Sequence, residues 1–248
     1  MKQIPNLFTL ANLFFGCIAI VYILQYDPKA TGLNLSGISL IVGGIFIFLA
    51  ACIDFLDGFV ARLFKATSEM GAQLDSLADV VSFGVAPGMI LYKMLEAAYV
   101  QNQVDTDSMW ILLPAFLLPC AAAWRLAKFN LDKEQRYYFK GLPTPAAGLF
   151  VASLPLIDEE VLNIQALLGN PYVLYGLILG LGGLMVSNIP MISLKFKSKK
   201  LRDNVDKLAI VLISILAILL FRWGGLPVIL IAYIVVSLLF KPDREPIT

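Results

Sequence analysis

Residues 53–79 read IDFLDGFVARLFKATSEMGAQLDSLAD and set four aspartates, Asp54, Asp57, Asp75 and Asp79, between two long apolar runs. Asp54 and Asp57 are spaced i, i+3 near the end of the first run, and Asp75 and Asp79 i, i+4 at the start of the second. On helices each pair shares one face, and the 17 residues from Gly58 to Leu74 form a short return that lets the pairs meet. Carboxylates brought that close repel one another unless cations or protons intervene. A half-buried ring of oxygen ligands suits a hard divalent ion such as Mg²⁺, Mn²⁺ or Ca²⁺, and two such ions can clamp a pyrophosphate during displacement. Gly58 and Ala61 leave a side-chain-poor strip beyond Asp54 where a ligand can approach the backbone. Arg62 adds a planar cationic fork suited to phosphate, and Gly71 clears the face that Asp75 occupies.

Outward from this stretch the chain is membrane-like. Of its 248 residues 59% are hydrophobic and 15% charged, with a mean hydropathy of +0.80, far from a soluble domain. Apolar segments near 7–26, 37–62, 75–99, 108–128, 142–157, 171–193, 205–222 and 225–240 approach the ~20 residues needed to span a bilayer. The expected fold is therefore all-α: a polytopic membrane helix bundle of about eight transmembrane helices, forming one integral membrane domain over 1–248. Lys2 before an apolar run resembles the start of a signal peptide, but the run is long, contains Asn12 and lacks a small-x-small cleavage site.

Charge sets the orientation. With the N-terminus in the cytoplasm and the helices alternating, the inner segments collect all the Lys and Arg residues except Lys29, Lys93 and Arg222. The acidic loops VDTD (104–107) and IDEE (157–160) fall outside. This asymmetry predicts both termini cytoplasmic and the aspartates at the cytoplasmic face. The basic run KFKSKKLR (195–202) is then mainly a topology signal that also favours anionic headgroups. A net charge of +1 gives no reason to expect a nucleic-acid partner.

The chain has no histidine, which excludes His-based triads and zinc sites of the H-E-x-x-H type; acid–base chemistry falls to Asp, Glu, Lys, Tyr or Cys. Cys17, Cys52 and Cys120 stand singly in apolar segments and read as small buried residues. The glycines of GLILGLGG (176–183) read as close helix packing. Single aspartates near helix ends are ordinarily solvated, and intramembrane carboxylates can also mark a cation or proton route. A route requires polar groups toward the midplane; here the cluster lies at one face, so interfacial chemistry fits better than cation-coupled transport.

The pattern D-x-x-D-G-x-x-A-R-x8-G-x3-D-x3-D, carried by Asp54, Asp57, Gly58, Ala61, Arg62, Gly71, Asp75 and Asp79, resembles the signature of the CDP-alcohol phosphatidyltransferases. The resemblance implies a catalytic six-helix core over 1–193, two additional C-terminal helices over 194–248, and a homodimer. It implies two divalent ions per site, Mn²⁺ or Mg²⁺, held by the four aspartates on the pyrophosphate of a CDP-linked lipid. It also implies that Asp79 is the general base and that Gly58, Ala61, Arg62 and Ser68 contact the nucleotide phosphates. In PNLFTLAN, Asn6, Thr9 and Asn12 form a polar stripe at i, i+3, i+6, and the matching family segment lines the CDP pocket, which points to Asn6 and Thr9.

SFGVAPG (82–88), RLAKFN (125–130) and KGLPTPAAG (140–148) are similar to the phosphatidylserine synthase branch of that family. The substrates so implied are CDP-diacylglycerol and L-serine, with glycerol 3-phosphate or an inositol compound as the alternative acceptor. Serine carries an ammonium and a carboxylate, so its pocket needs one strong cation and some acceptors; Arg125, Lys128, Asn130 and Lys140 are the candidates to hold the carboxylate. Gly84, with Pro87, is expected to break its helix and expose carbonyls for the ammonium. Compactness and resemblance together suggest a prokaryotic cytoplasmic membrane.

Overall fold

Apolar runs punctuated by glycine, proline and polar turns leave the backbone one way to satisfy itself in lipid, the helix. A computed structural model describes residues 4–29, 35–63, 68–103, 109–131, 139–157, 164–191 and 205–239. These form α1 (Ile4–Leu24), α2 (Leu35–Leu63), α3 (Glu69–Val80), α4 (Ala86–Gln101), α5 (Leu117–Leu131), α6 (Thr144–Ser153), α7 (Gln165–Leu168), α8 (Pro171–Val186), α9 (Val205–Phe221) and α10 (Gly225–Leu239). Two-residue strands β1 (Phe139–Lys140) and β2 (Pro190–Met191) pair antiparallel, Phe139 opposite Met191. Four stretches are long and apolar enough to cross a membrane: Pro5–Leu24, Ile38–Val60, Glu69–Gln101 and Met109–Leu131. Shorter apolar helices follow at Thr144–Leu156, Pro171–Val186, Ile210–Phe221 and Gly225–Ser237. The protein is a polytopic membrane helix bundle. Residues 104–107, 158–160, 195–202 and most of 129–141 that carry the loop charges lie outside the described residues.

The expected break at SFGVAPG does not occur. α3 continues into α4 through one π-helical turn, Val81–Val85, and Pro87 lies just past that turn, in the first turn of α4. This widened turn is the hub of the bundle. Phe83 is fully buried there, and small residues on three neighbours let backbones approach it. A Cβ on Gly16 of α1 would clash with Ser82 Oγ, and one on Gly148 of α6 would lie 2.9 Å from Phe83 Cα. A Cβ on Gly84 would lie 3.0 Å from Ala122 Cβ and 3.3 Å from Pro119 Cα of α5. Overpacking of such a contact costs about 1–3 kcal/mol. Gly148→Ala is accordingly expected to lower the thermal midpoint in detergent; an unchanged midpoint would show that α6 can part from the hub freely.

Around the hub, α1 runs along α2, where Phe46 stacks between Phe15 (5.9 Å) and Tyr22 (5.4 Å). α2 presses Gly44 onto the Ala152 carbonyl of α6. α8 packs on α5, and α9 and α10 form a hairpin whose second arm lies on α6. Two expectations are corrected. Cys17, Cys52 and Cys120 are exposed, because a small apolar thiol suits lipid as well as a core. Of the glycines in 176–183, only Gly182 would bring a Cβ near a neighbour, Ala121 Cβ at 3.6 Å; a Cβ on Gly176, Gly180 or Gly183 would meet nothing within 4 Å. Spacing of small residues does not say which side of a helix has a neighbour.

Candidate active site

α2 ends and α3 begins at the same end of the bundle, and this return brings the aspartates together. α3 is started by Ser68, whose extended backbone and Oγ, accepting from Gly71 N–H at 3.0 Å, cap the helix. Glu69 in the first turn favours the same end of the helix dipole. One carboxylate oxygen from each of Asp54, Asp57 and Asp75 lies within 4.8 Å of the others. That spacing and an all-oxygen donor set fit a hard divalent cation. Asp79 interacts with Asp54 but stands outside this three-residue group. It is deeper, 7% exposed, as is Asp57.

α1 supplies the second layer. Thr9, 4% exposed, donates from Oγ1 to Asp57 Oδ2 at 2.8 Å. Asn12 is fully buried; its Nδ2 donates to Asp79 Oδ1 at 3.5 Å, while its Oδ1 has no hydrogen-bond partner. The Asn12 carbonyl accepts from Ser82 Oγ at 3.1 Å, tying α1 to the π turn. Thus Thr9 faces a carboxylate. Asn12 and Ser82 were not among the expected site residues, although the i, i+3, i+6 stripe already put Asn12 on the face shared by Asn6 and Thr9. Asn6 approaches Gly71: a Cβ there would meet Asn6 Oδ1 at 3.1 Å. A Cβ on Gly58 meets nothing within 4 Å, so the strip beside the aspartates is open. The side chains of Ala61 and Arg62 lie outside the described residues.

The expected acceptor residues separate. Arg125, 7% exposed, projects from α5; one terminal nitrogen donates to Thr144 Oγ1 on α6 at 3.1 Å, and its Nε is buried without a partner. Among the described residues it forms no ion pair, although Asp79 and Tyr233 lie within electrostatic range. A buried guanidinium without an ion-pair partner strongly favours an arriving anion. Asn130 donates to Ser76 Oγ at 2.9 Å, fastening the end of α5 beside Asp75. Lys140 lies on β1 opposite Pro190; its side chain is outside the described residues. Gly84 serves helix packing, as above. Lys128 is drawn away to Asn188 Oδ1 at 2.6 Å.

Comparison with known proteins identifies the family. The model of the family described as CDP-alcohol phosphatidyltransferase matches residues 2–186. The chain is 31% identical over 238 residues to the CDP-diacylglycerol–serine O-phosphatidyltransferase of Helicobacter pylori (strain J99 / ATCC 700824), covering 95% of this chain and 89% of the relative. The Bacillus subtilis (strain 168) protein of the same name is 33% identical over 174 residues, 70% of this chain and 87% of its own. That of Saccharomyces cerevisiae (strain ATCC 204508 / S288c) is 42% identical over 118 residues, 44% of this chain and 39% of its own.

Proposed function

The chain belongs to the CDP-alcohol phosphatidyltransferase family, and from that premise we propose that it transfers the phosphatidyl group of CDP-diacylglycerol to the hydroxyl of L-serine, giving phosphatidylserine and CMP. The observation that carries this reading is the three-carboxylate cluster of Asp54, Asp57 and Asp75 with Asp79 beside it. The named relatives, similar over most of the chain, favour it over transport and over other acceptors.

Asp54, Asp57 and Asp75, with Asp79 as the fourth carboxylate, are the ligands for two divalent ions, Mn²⁺ or Mg²⁺. When bound, these ions supply positive charge to pyrophosphate oxygens. Thr9 holds Asp57 in orientation, as outer partners of metal ligands do. The acyl chains lie in the bilayer, and the cytidine end lies along Asn6, Thr9 and the open strip at Gly58 and Ala61. Arg62 and Ser68 face the phosphates. The serine Oγ forms a bond to the lipid-bearing phosphorus as the bond to the CMP oxygen breaks; CMP departs with that electron pair. Asp79 takes the hydroxyl proton, and Asn12 keeps its carboxylate aimed. An aspartate is a weak base for an alcohol, so this transfer comes late, as the new P–O bond lowers the acidity barrier.

Arg125 binds the serine carboxylate. All eight apolar helices span a prokaryotic cytoplasmic membrane, with both termini and the site cytoplasmic, and the chain acts as a homodimer. The test is incorporation of labelled L-serine into lipid by the purified protein. Arg125→Gln is expected to raise the KM for serine by about 10–100-fold, the worth of a charge-assisted hydrogen bond, with the KM for CDP-diacylglycerol unchanged. An unchanged serine KM would remove Arg125 from the pocket, and no labelled lipid from wild-type protein would remove serine.

A further inference from the structure

Among the described residues, two buried side-chain polar atoms have no hydrogen-bond partner, Asn12 Oδ1 and Arg125 Nε. One is an acceptor and the other a donor, and both side chains are more than nine-tenths buried, at 0% and 7% exposure. Folded proteins rarely leave such atoms unpaired, because each forfeits its hydrogen bonds to water. The two residues stand at one level of the bundle. α5 runs antiparallel past α3 and α4: a Cβ on Gly84 would lie 3.0 Å from Ala122 Cβ, and Asn130 Nδ2 donates to Ser76 Oγ at 2.9 Å. Arg125 lies between these contacts and so falls between the levels of Ser76 and Gly84, as Asp79 does. Thr144, fully buried, accepts from Arg125 at 3.1 Å and fastens it in this layer. α1 reaches the same layer through Asn12, whose Nδ2 donates to Asp79 Oδ1 at 3.5 Å and whose carbonyl accepts from Ser82 Oγ at 3.1 Å. An amide beside a carboxylate presents its nitrogen to it, so the oxygen is the end left over.

The layer beside the aspartates thus offers one buried acceptor and one buried cationic donor. A free amino acid carries the inverse set, an ammonium that only donates and a carboxylate that only accepts. Resting on the reading of L-serine as the acceptor, we propose that Asn12 is its ammonium-binding residue, with Oδ1 accepting from the ammonium while Arg125 takes the carboxylate. The turn at Gly84, expected to expose carbonyls for that ammonium, stays helical, which leaves the Asn12 oxygen to serve instead. The ammonium and hydroxyl of serine stand on neighbouring carbons. An ammonium fixed on Asn12 Oδ1 therefore brings the hydroxyl close to the same amide, whose other end contacts Asp79. One side chain then aligns nucleophile and base, and it selects amino acids over alcohols of similar size that lack the ammonium.

The test uses unreactive competitors of serine turnover by the full-length protein in detergent, at saturating CDP-diacylglycerol and metal. L-Alanine keeps both charged groups of serine and lacks the hydroxyl; propionate lacks the ammonium as well. In wild type, L-alanine is expected to inhibit about 10–100-fold more tightly than propionate, the worth of one hydrogen bond to a charged group. Equal inhibition by the two, or none by L-alanine, overturns the inference without any variant. In Asn12→Ala the ratio of the two inhibition constants is expected to fall to near one. kcat drops there too, because Asp79 loses a donor, but that loss is common to both competitors and cancels in the ratio. Asn12→Leu, which keeps the volume, gives the same ratio if the alanine variant proves unstable. Arg125→Gln weakens both inhibitors together and keeps the ratio. A wild-type ratio in both Asn12 variants overturns the inference, and a raised metal requirement alongside it would assign the amide to the ion site. Serine-dependent turnover with that outcome removes Asn12 alone; no serine-dependent turnover by wild type removes the underlying reading.

Discussion

Asp79→Asn is expected to lower kcat by about two to four orders of magnitude, the contribution of a positioned general base. The amide has nearly the same shape, and Asn12 can still contact it, so folding and the KM for CDP-diacylglycerol should change little. Asp79 lies outside the group of three converging oxygens, and this gives the variant a second readout. The metal concentration for half-maximal activity should shift less than in variants of Asp54, Asp57 or Asp75. Single-turnover CMP release at saturating metal and serine checks both statements. Turnover near that of wild type would remove Asp79 as the proton acceptor. A shift in metal requirement as large as that of the other aspartates would make it chiefly a ligand.

Removal of the divalent ion should have an equally large effect. Asp54, Asp57 and Asp75 place three carboxylates within 4.8 Å, an arrangement that is repulsive in the absence of cations and favourable with them. Treatment with EDTA is expected to bring CMP release to background, and re-addition of Mn²⁺ or Mg²⁺ to restore it. Asp75→Asn removes one ligand and relieves part of the repulsion. Loss even of a group that merely orients a ligand typically costs 10–100-fold in metal affinity, so the half-activating metal concentration should rise at least about tenfold. The same substitution should leave thermal stability in EDTA unchanged or higher, because unpaired charges are removed. Activity that persists in EDTA at the wild-type level would contradict the assignment of the cluster.

Much of this was legible in the sequence because charge is rare in it. Four aspartates between apolar runs had few places to go, and the i, i+3 and i, i+4 spacings put each pair on a face. The structure brings Asp54, Asp57 and Asp75 together and leaves Asp79 beside that group, where all four were expected to converge. The apolar runs likewise located most of the helices, the first being Ile4–Leu24 against an expected 7–26, although the run expected over 171–193 is helical only to Val186. What was not legible depended on which neighbour each helix face meets. SFGVAPG looked like a break because glycine and proline punctuate helices, yet tertiary packing at Phe83 carries the helix through a π turn. Gly84 thereby became a contact for α5 and not a source of free carbonyls. The pairing of Arg125 with Thr144 joins positions nineteen residues apart across a loop, and no local pattern signals it. Asn12 stood in plain view in the polar stripe; its contact with Asp79 needed the crossing of α1 over α3.

The central claim is that one metal-dependent aspartate site cleaves CDP-diacylglycerol for serine. Its most direct measurement is CMP release from CDP-diacylglycerol by the purified protein in detergent, with L-serine, glycerol 3-phosphate and inositol phosphate compared in the presence of Mn²⁺ or Mg²⁺ and of EDTA. The account predicts release with serine, dependent on metal, and background with the other two. Release with another alcohol in place of serine would contradict the acceptor assignment while leaving the aspartate site standing. No release with any acceptor, from folded protein supplied with metal, would contradict the account as a whole.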